Sequence, residues 1–221
     1  MLAEAVGTAL LLIGVVGSGI MAERLSPGDE GLQLLQNAAA TAGVLFAIIL
    51  MMSPVSGAHF NPVVTVADWA LGGLQARSVA PYVAAQVVGA VLGTVLANLM
   101  FDLDAVAWSS KDRSAGHLWL GEVIATFGLI TLIFALVRAG RARYVASAVA
   151  AYIGGAYYFT SSTSFANPAV TVGRMFSDTF AGIEPSSAPM FIVMQIVGLG
   201  VALLLIRYLY PKNKPEEHSV S

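Results

Sequence analysis

Runs of about eighteen or more predominantly apolar residues recur along the whole chain, each long enough to cross the roughly 30 Å hydrocarbon layer of a bilayer as a helix. Of 221 residues, 57% are hydrophobic and 11% charged, against about 25% charged in an ordinary soluble domain. A single water-surrounded core cannot hide that much apolar side chain, so the chain reads as an all-α membrane protein. Six transmembrane spans fall at 2–21, 34–52, 79–101, 118–137, 144–159 and 190–210, all helical because a helix satisfies its own backbone in lipid. Two further apolar stretches, 57–71 and 165–180, are too short to cross and read as re-entrant.

Charge narrows the function. The net charge is -2 and the one dense basic cluster is Arg138, Arg141 and Arg143, which gives no extended basic face for nucleic acid. There are no cysteines, hence no disulfides or thiolate metal sites. His117 and His218 are too far apart and too poor in acidic neighbours to suggest a metal, and no cofactor motif is present. The first segment lacks a basic n-region and is expected to stay as the first span rather than to be cleaved. Arg77, Arg138, Arg141, Arg143, Arg207, Lys212 and Lys214 fall on one side, with Arg24, Lys111, Arg113 and Arg174 on the other. The positive-inside rule then puts both termini in the cytoplasm of a cell (inner) membrane. Residues 211–221 are polar and Pro-containing, and are expected to form a disordered tail after one domain at 1–210.

The chain repeats itself. Ala3-Glu4-Ala5-Val6-Gly7-Thr8 is echoed by Gly121-Glu122-Val123-Ile124-Ala125-Thr126, Asn61-Pro62-Val63 by Asn167-Pro168-Ala169, and Gln86-Val87-Val88-Gly89 by Gln195-Ile196-Val197-Gly198. The offsets are 118, 106 and 109 residues (3 to 121, 61 to 167, 86 to 195). Each half, about 1–101 and 118–210, holds three spans and one re-entrant segment, and an odd number of spans forces the halves into opposite orientations. Such an inverted repeat places its site near the midplane where broken helices meet.

The paired Asn-Pro dipeptides supply that site. Asn caps the free N–H groups of a helix start and Pro tolerates its first turn, so Asn61 and Asn167 each open a half-helix. Two such N-termini meeting head to head would each present about +0.5 charge and repel cations. Carboxamides of Asn61 and Asn167 pointing into a pore would donate to a passing oxygen and interrupt a proton wire.

Ser56-Gly57-Ala58-His59-Phe60-Asn61-Pro62-Val63-Val64-Thr65 resembles the first signature of the aquaporin and aquaglyceroporin family, and Asn167-Pro168-Ala169 resembles the second. The resemblance implies a six-span, two-half-helix fold and a homotetramer with one pore per subunit. Family members usually carry Arg directly after the second Asn-Pro-Ala; here that position is Val170, and the nearest arginine is Arg174. Val63 stands where Ala is usual. By the family's spacing, the other filter positions fall on Thr41, Gly155 and Ser164, which with Val170 would make a wide filter without fixed charge. A shift of the second position to Tyr157 or Tyr158 would narrow it.

The resemblance also implies that Glu4 and Glu122 brace the re-entrant loops rather than relay protons. His59 is expected to brace its loop, with a titratable gate as the alternative. Arg174 is expected to pair with Asp178 one turn along, the alternative being that it reaches back to replace the missing charge. Asp68 is expected to pair at the cytoplasmic surface, away from the pore. Gly89, Gly93, Gly198 and Gly200 are expected to let helices approach closely. The expected partners are lipid, water and small neutral solutes: glycerol-like polyols and uncharged metalloid acids. A water-selective channel and a coupled secondary transporter are the alternatives. A cation channel is disfavoured by the two positive helix ends, and an enzyme by the lack of a grouped nucleophile, base and orienter.

Overall fold

The computed structural model describes residues 1–211; the expected disordered tail, apart from Pro211, lies outside the described residues. Helices follow in the order α1 (Leu2–Leu25), α2 (Glu30–Ser56), the short α3 (Pro62–Ala70), α4 (Ala76–Met100), α5 (Gly116–Arg138), a 3-10 turn (Ala142–Tyr144), α6 (Val145–Phe159), the short α7 (Pro168–Arg174) and α8 (Ala188–Leu209). Five of them, α1, α2, α4, α5 and α8, are long and apolar enough to cross a membrane. The helix at the remaining expected span, α6, has only 15 residues, short of the usual 20 or so. It packs against α2 and α5 and is preceded by the 3-10 turn, which also contacts it.

Local chemistry sets the ends. The Asp29 carboxylate accepts from the Leu32 N–H at 2.9 Å and caps α2. Pro54 sits in the last turn of the same helix, and Gly57 then takes φ 84°, the left-handed conformation that ends helices at low steric cost.

The two halves are built alike. Helix α1 packs on α4 as α5 packs on α8, while α2 lies against α1 and α6. Each short helix is seated partly on the opposite half, α3 against α8 and α7 against α1 and α4. The polarity of a soluble domain is reversed: Leu92, Leu96 and Leu99 of α4 and Ile196, Val201 and Leu204 of α8 are exposed on the outer surface, whereas Glu4, Gln86, Glu122 and Gln195 are fully buried.

Glycine makes the tight helix crossings possible. A Cβ on Gly89 would lie 2.2 Å from the Ala5 carbonyl oxygen, one on Gly93 would lie 2.3 Å from that of Ala9, and one on Gly198 would lie 2.6 Å from that of Val123. Gly200 departs from expectation: it is exposed and a Cβ there meets nothing within 4 Å, because two residues beyond Gly198 a helix has turned by about 200°. Gly89→Ala should therefore destabilise the fold by about 1–3 kcal/mol, whereas Gly200→Ala should be neutral or slightly stabilising through helix propensity. Thermal unfolding of the detergent-solubilised protein checks the contrast.

Candidate functional site

Each short helix begins on an asparagine whose side chain does two jobs. Asn61 Oδ1 accepts from the Val63 N–H at 3.1 Å, and Asn167 Oδ1 accepts from Ala169 and Val170 N–H at 3.0 and 3.2 Å. Pro62 and Pro168 occupy the first turn, where the missing N–H costs nothing. With each Oδ1 committed to a cap, the Nδ2 end of the amide must face away from it. Asn61 Nδ2 donates to the Ala166 carbonyl at 2.8 Å, and Asn167 Nδ2 donates to the Phe60 carbonyl at 2.8 Å. The halves are thereby hydrogen-bonded to each other across 105 and 107 residues. An amide nitrogen carries two hydrogens, so one N–H on each asparagine is left for the lumen, which both residues line.

The loops leading into these caps are irregular and buried, and their donors are met by carboxylates. Glu4 accepts from His59 N–H at 3.1 Å, Phe60 N–H at 2.8 Å, the Ser56 hydroxyl at 2.6 Å and Gln86 Nε2 at 2.8 Å. Glu122 accepts from Phe165 and Ala166 N–H, both at 2.9 Å, and from Gln195 Nε2 at 2.6 Å. Gln86 and Gln195 also donate to Thr65 and Thr171, whose hydroxyls return to the Asn61 and Asn167 carbonyls. The same six-residue network thus occurs twice: Glu4, His59, Phe60, Asn61, Thr65 and Gln86 in one half, and Glu122, Phe165, Ala166, Asn167, Thr171 and Gln195 in the other. It holds Ala58 and Phe60 at φ 53° and 49°, and Ser164 and Ala166 at φ 51° and 47°, conformations that cost non-glycine residues about 1–2 kcal/mol each.

An elongated cavity of about 350 Å³ runs past both asparagines. His59 and Asp68 line it towards one end, with Leu11, Val64 and Ile153 adding an apolar wall. Asp68 does not stay clear of the pore: it lines the cavity and its carboxylate lies 3.5 Å from His59 Nε2, while His59 Nδ1 lies 3.1 Å from the Thr65 hydroxyl. Helix α3 places it there, because Asp68 lies about two turns along from Asn61 and so on the same lumen-facing side.

Thr41, Ser164, Val170 and Arg174 line the same cavity and are all buried. Gly155 is elsewhere, on the exposed face of α6. Tyr157 takes the wall position instead and its hydroxyl shares a 3.1 Å hydrogen bond with that of Thr41. The two-residue displacement turns the assigned side by about 200°, so a count made along the intervening loop lands on the exposed face. Arg174 does not pair with Asp178, whose carboxylate accepts from Ser110 N–H and hydroxyl at 2.8 and 3.0 Å. Its Nε donates to the Ala181 carbonyl, and its guanidinium lies 3.4 Å over the Phe165 ring. This wall therefore carries a phenol and a guanidinium.

Arg113 was not legible as a site residue from sequence. It stacks on Phe165 at 4.9 Å and donates to the Gly182 carbonyl at 3.0 Å. Burial pulls its guanidinium down to about 10, opposed by the Glu122 carboxylate, which leaves it charged at neutral pH.

Replacing Glu122 by Ala strands three buried donors at about 1–3 kcal/mol each. Loss of roughly 3 kcal/mol or more is expected, read as a large fall in the melting temperature and in the yield of monodisperse protein.

Comparison with known proteins agrees with this architecture. The sequence profile of the Major intrinsic protein family matches residues 1–164. The chain is 46% identical over 213 residues to the aquaglyceroporin AqpS of Rhizobium meliloti (strain 1021), covering 96% of this chain and 91% of that protein. It is 29% identical to the probable aquaporin AqpM of Archaeoglobus fulgidus over 94% of this chain and 95% of the other. Among solved structures, the aquaglyceroporin from Plasmodium falciparum superposes with a TM-score of 0.70 at 21% identity, covering 95% of this chain and 93% of that one. The chain belongs to the Major intrinsic protein family.

Proposed function

We propose that the chain is a passive channel for water and small uncharged solutes, glycerol-like polyols and neutral metalloid acids among them. The observation that carries this reading is the pair of asparagines at the cavity wall, each with its oxygen spent on a cap and one N–H free. A solute oxygen is received there by donors alone. Two half-helix N-termini, each about +0.5, oppose cations at the same place, and a water held by two donors cannot pass a proton along an unbroken wire. The 46% identity to a protein named as an aquaglyceroporin supports the glycerol-sized solutes.

The selectivity wall in this reading is Thr41, Tyr157, Ser164 and Val170, with Arg174 beside them. Val170 in place of a charged residue keeps the wall open on that side. Flux follows the gradient in either direction. The charge distribution supports both termini in the cytoplasm of a cell (inner) membrane, and the family resemblance supports a homotetramer with one pore in each subunit. A second, water-selective reading has its own support, since Tyr157 and Arg174 narrow the wall that Gly155 would have left open.

Stopped-flow light scattering of proteoliposomes separates the two. Native protein should accelerate both sucrose-driven shrinkage and glycerol-driven recovery. Val170→Arg should cut glycerol permeation at least tenfold while water permeation changes only a few-fold. Glycerol exclusion by the native protein while water flows would establish the water-selective reading instead.

A further inference from the structure

Two arginines near one end of the cavity, Arg174 in its wall and Arg113 against the Phe165 ring, are buried without a salt-bridge partner among the described residues. Arg113 is 7% and Arg174 2% exposed, and among the described residues neither has a carboxylate oxygen within 4.0 Å. The nearby acids are engaged elsewhere: Asp178 by Ser110, Asp112 by Ser114 N–H and the Ser187 hydroxyl, and Glu122 by its loop. Buried cations are normally paired, because desolvation disfavours an isolated charge.

The lumen side of this region offers donors that the protein leaves unused. Arg174 lines the cavity and spends Nε on Ala181, and among the described residues no acceptor engages its terminal nitrogens. Ser164, 4% exposed and in the same wall, has a buried hydroxyl oxygen with no hydrogen-bond partner. Thr41 and Tyr157 share one hydrogen bond between two hydroxyls, so one O–H remains to donate. Tyr157 lines the same cavity as Arg174, and Ser164 directly precedes the Phe165 on which Arg174 stacks. The set is one guanidinium and several hydroxyl donors in the wall of one cavity, a chemistry suited to a planar oxyanion.

We propose that this end of the cavity is a binding site for small monovalent oxyanions of the carboxylate type, which occupy the lumen against Arg174 and Ser164 and obstruct the passage of neutral solutes. Arg113, behind the Phe165 ring, adds attraction without contact. The site does not depend on which neutral solute the channel carries.

Binding is read by thermal unfolding of the full-length, detergent-solubilised channel in sodium formate against sodium morpholinoethanesulfonate, a bulkier anion, at equal ionic strength. Formate should raise the native melting temperature saturably by about 2–4 °C. Arg174→Met should abolish the rise, Arg174→Lys should keep part of it, and Ser164→Ala should weaken it. In proteoliposomes formate should also slow native glycerol permeation at least twofold. Equal melting of the native protein in the two salts would overturn the proposal, as would an undiminished rise in Arg174→Met. Should Arg174→Met fail to fold, an unchanged formate response in Ser164→Ala overturns it. A channel that passes no glycerol would sink the transport reading but leave the melting test decisive.

Discussion

Two side-chain amides hold the halves of this molecule together. Each asparagine closes the start of its own half-helix with its oxygen and donates its nitrogen to the loop of the other half. Neither bond is interchangeable, since a capping oxygen must accept and a carbonyl partner must be given a proton. The amide orientation is thus fixed by the backbone around it, and with it the fact that the lumen meets N–H groups rather than oxygens. Fold and lumen chemistry rest on the same five hydrogen bonds, so the seam between the repeats cannot be loosened without changing what the lumen offers.

That seam requires irregular backbone in the middle of a bundle, which has no water to satisfy it. Glu4 and Glu122 supply the missing acceptors, and Gln86, Gln195, Thr65 and Thr171 hold the carboxylates and helix starts in register. Five non-glycine residues of these loops kept at positive φ, Ala58, Phe60, Thr163, Ser164 and Ala166, show how strongly these contacts determine the loops. The close α1–α4 and α5–α8 crossings, made possible by Gly89, Gly93 and Gly198, bring Gln86 and Gln195 within reach of the acids. Packing, loop geometry and the donor pair at the lumen form one chain of dependence.

Much of this is written locally in the sequence. Asn followed by Pro encodes a cap, Glu and Thr four residues apart mark the start of α1 and the matching turn of α5, and their recurrence at matched offsets encodes the inverted repeat. The wall around Arg174 was harder to read because it is set by loops whose length and path have no periodicity. The count that reached Gly155 rather than Tyr157 failed at the loop between α6 and α7, where two residues decide between the exposed face and the lumen. The pairing of Arg174 with Asp178 was drawn from helical spacing, but α7 ends at Arg174, so the one-turn rule no longer applies beyond it. Asp68 departs from expectation for the converse reason: α3 continues past it and carries it to the lumen. Arg113 lies in an irregular segment and meets Phe165 only through tertiary packing.

The lumen that results is uneven along its length. One end carries the His59–Asp68 pair, the middle a pair of amide donors and the other end a guanidinium with hydroxyls around it. Neutral hydroxylated molecules can exchange hydrogen bonds with each station in turn, whereas a cation must pass the positive ends of two half-helices. The most direct test of the donor pair is to measure water and proton flux on the same proteoliposomes, with light scattering for shrinkage and an entrapped pH-sensitive dye under an imposed pH gradient. Fast water permeation with a pH gradient that decays no faster than in protein-free vesicles is the expected result. Proton flux that rises in step with water permeation would contradict the account, because it would mean that the two asparagines do not break the wire.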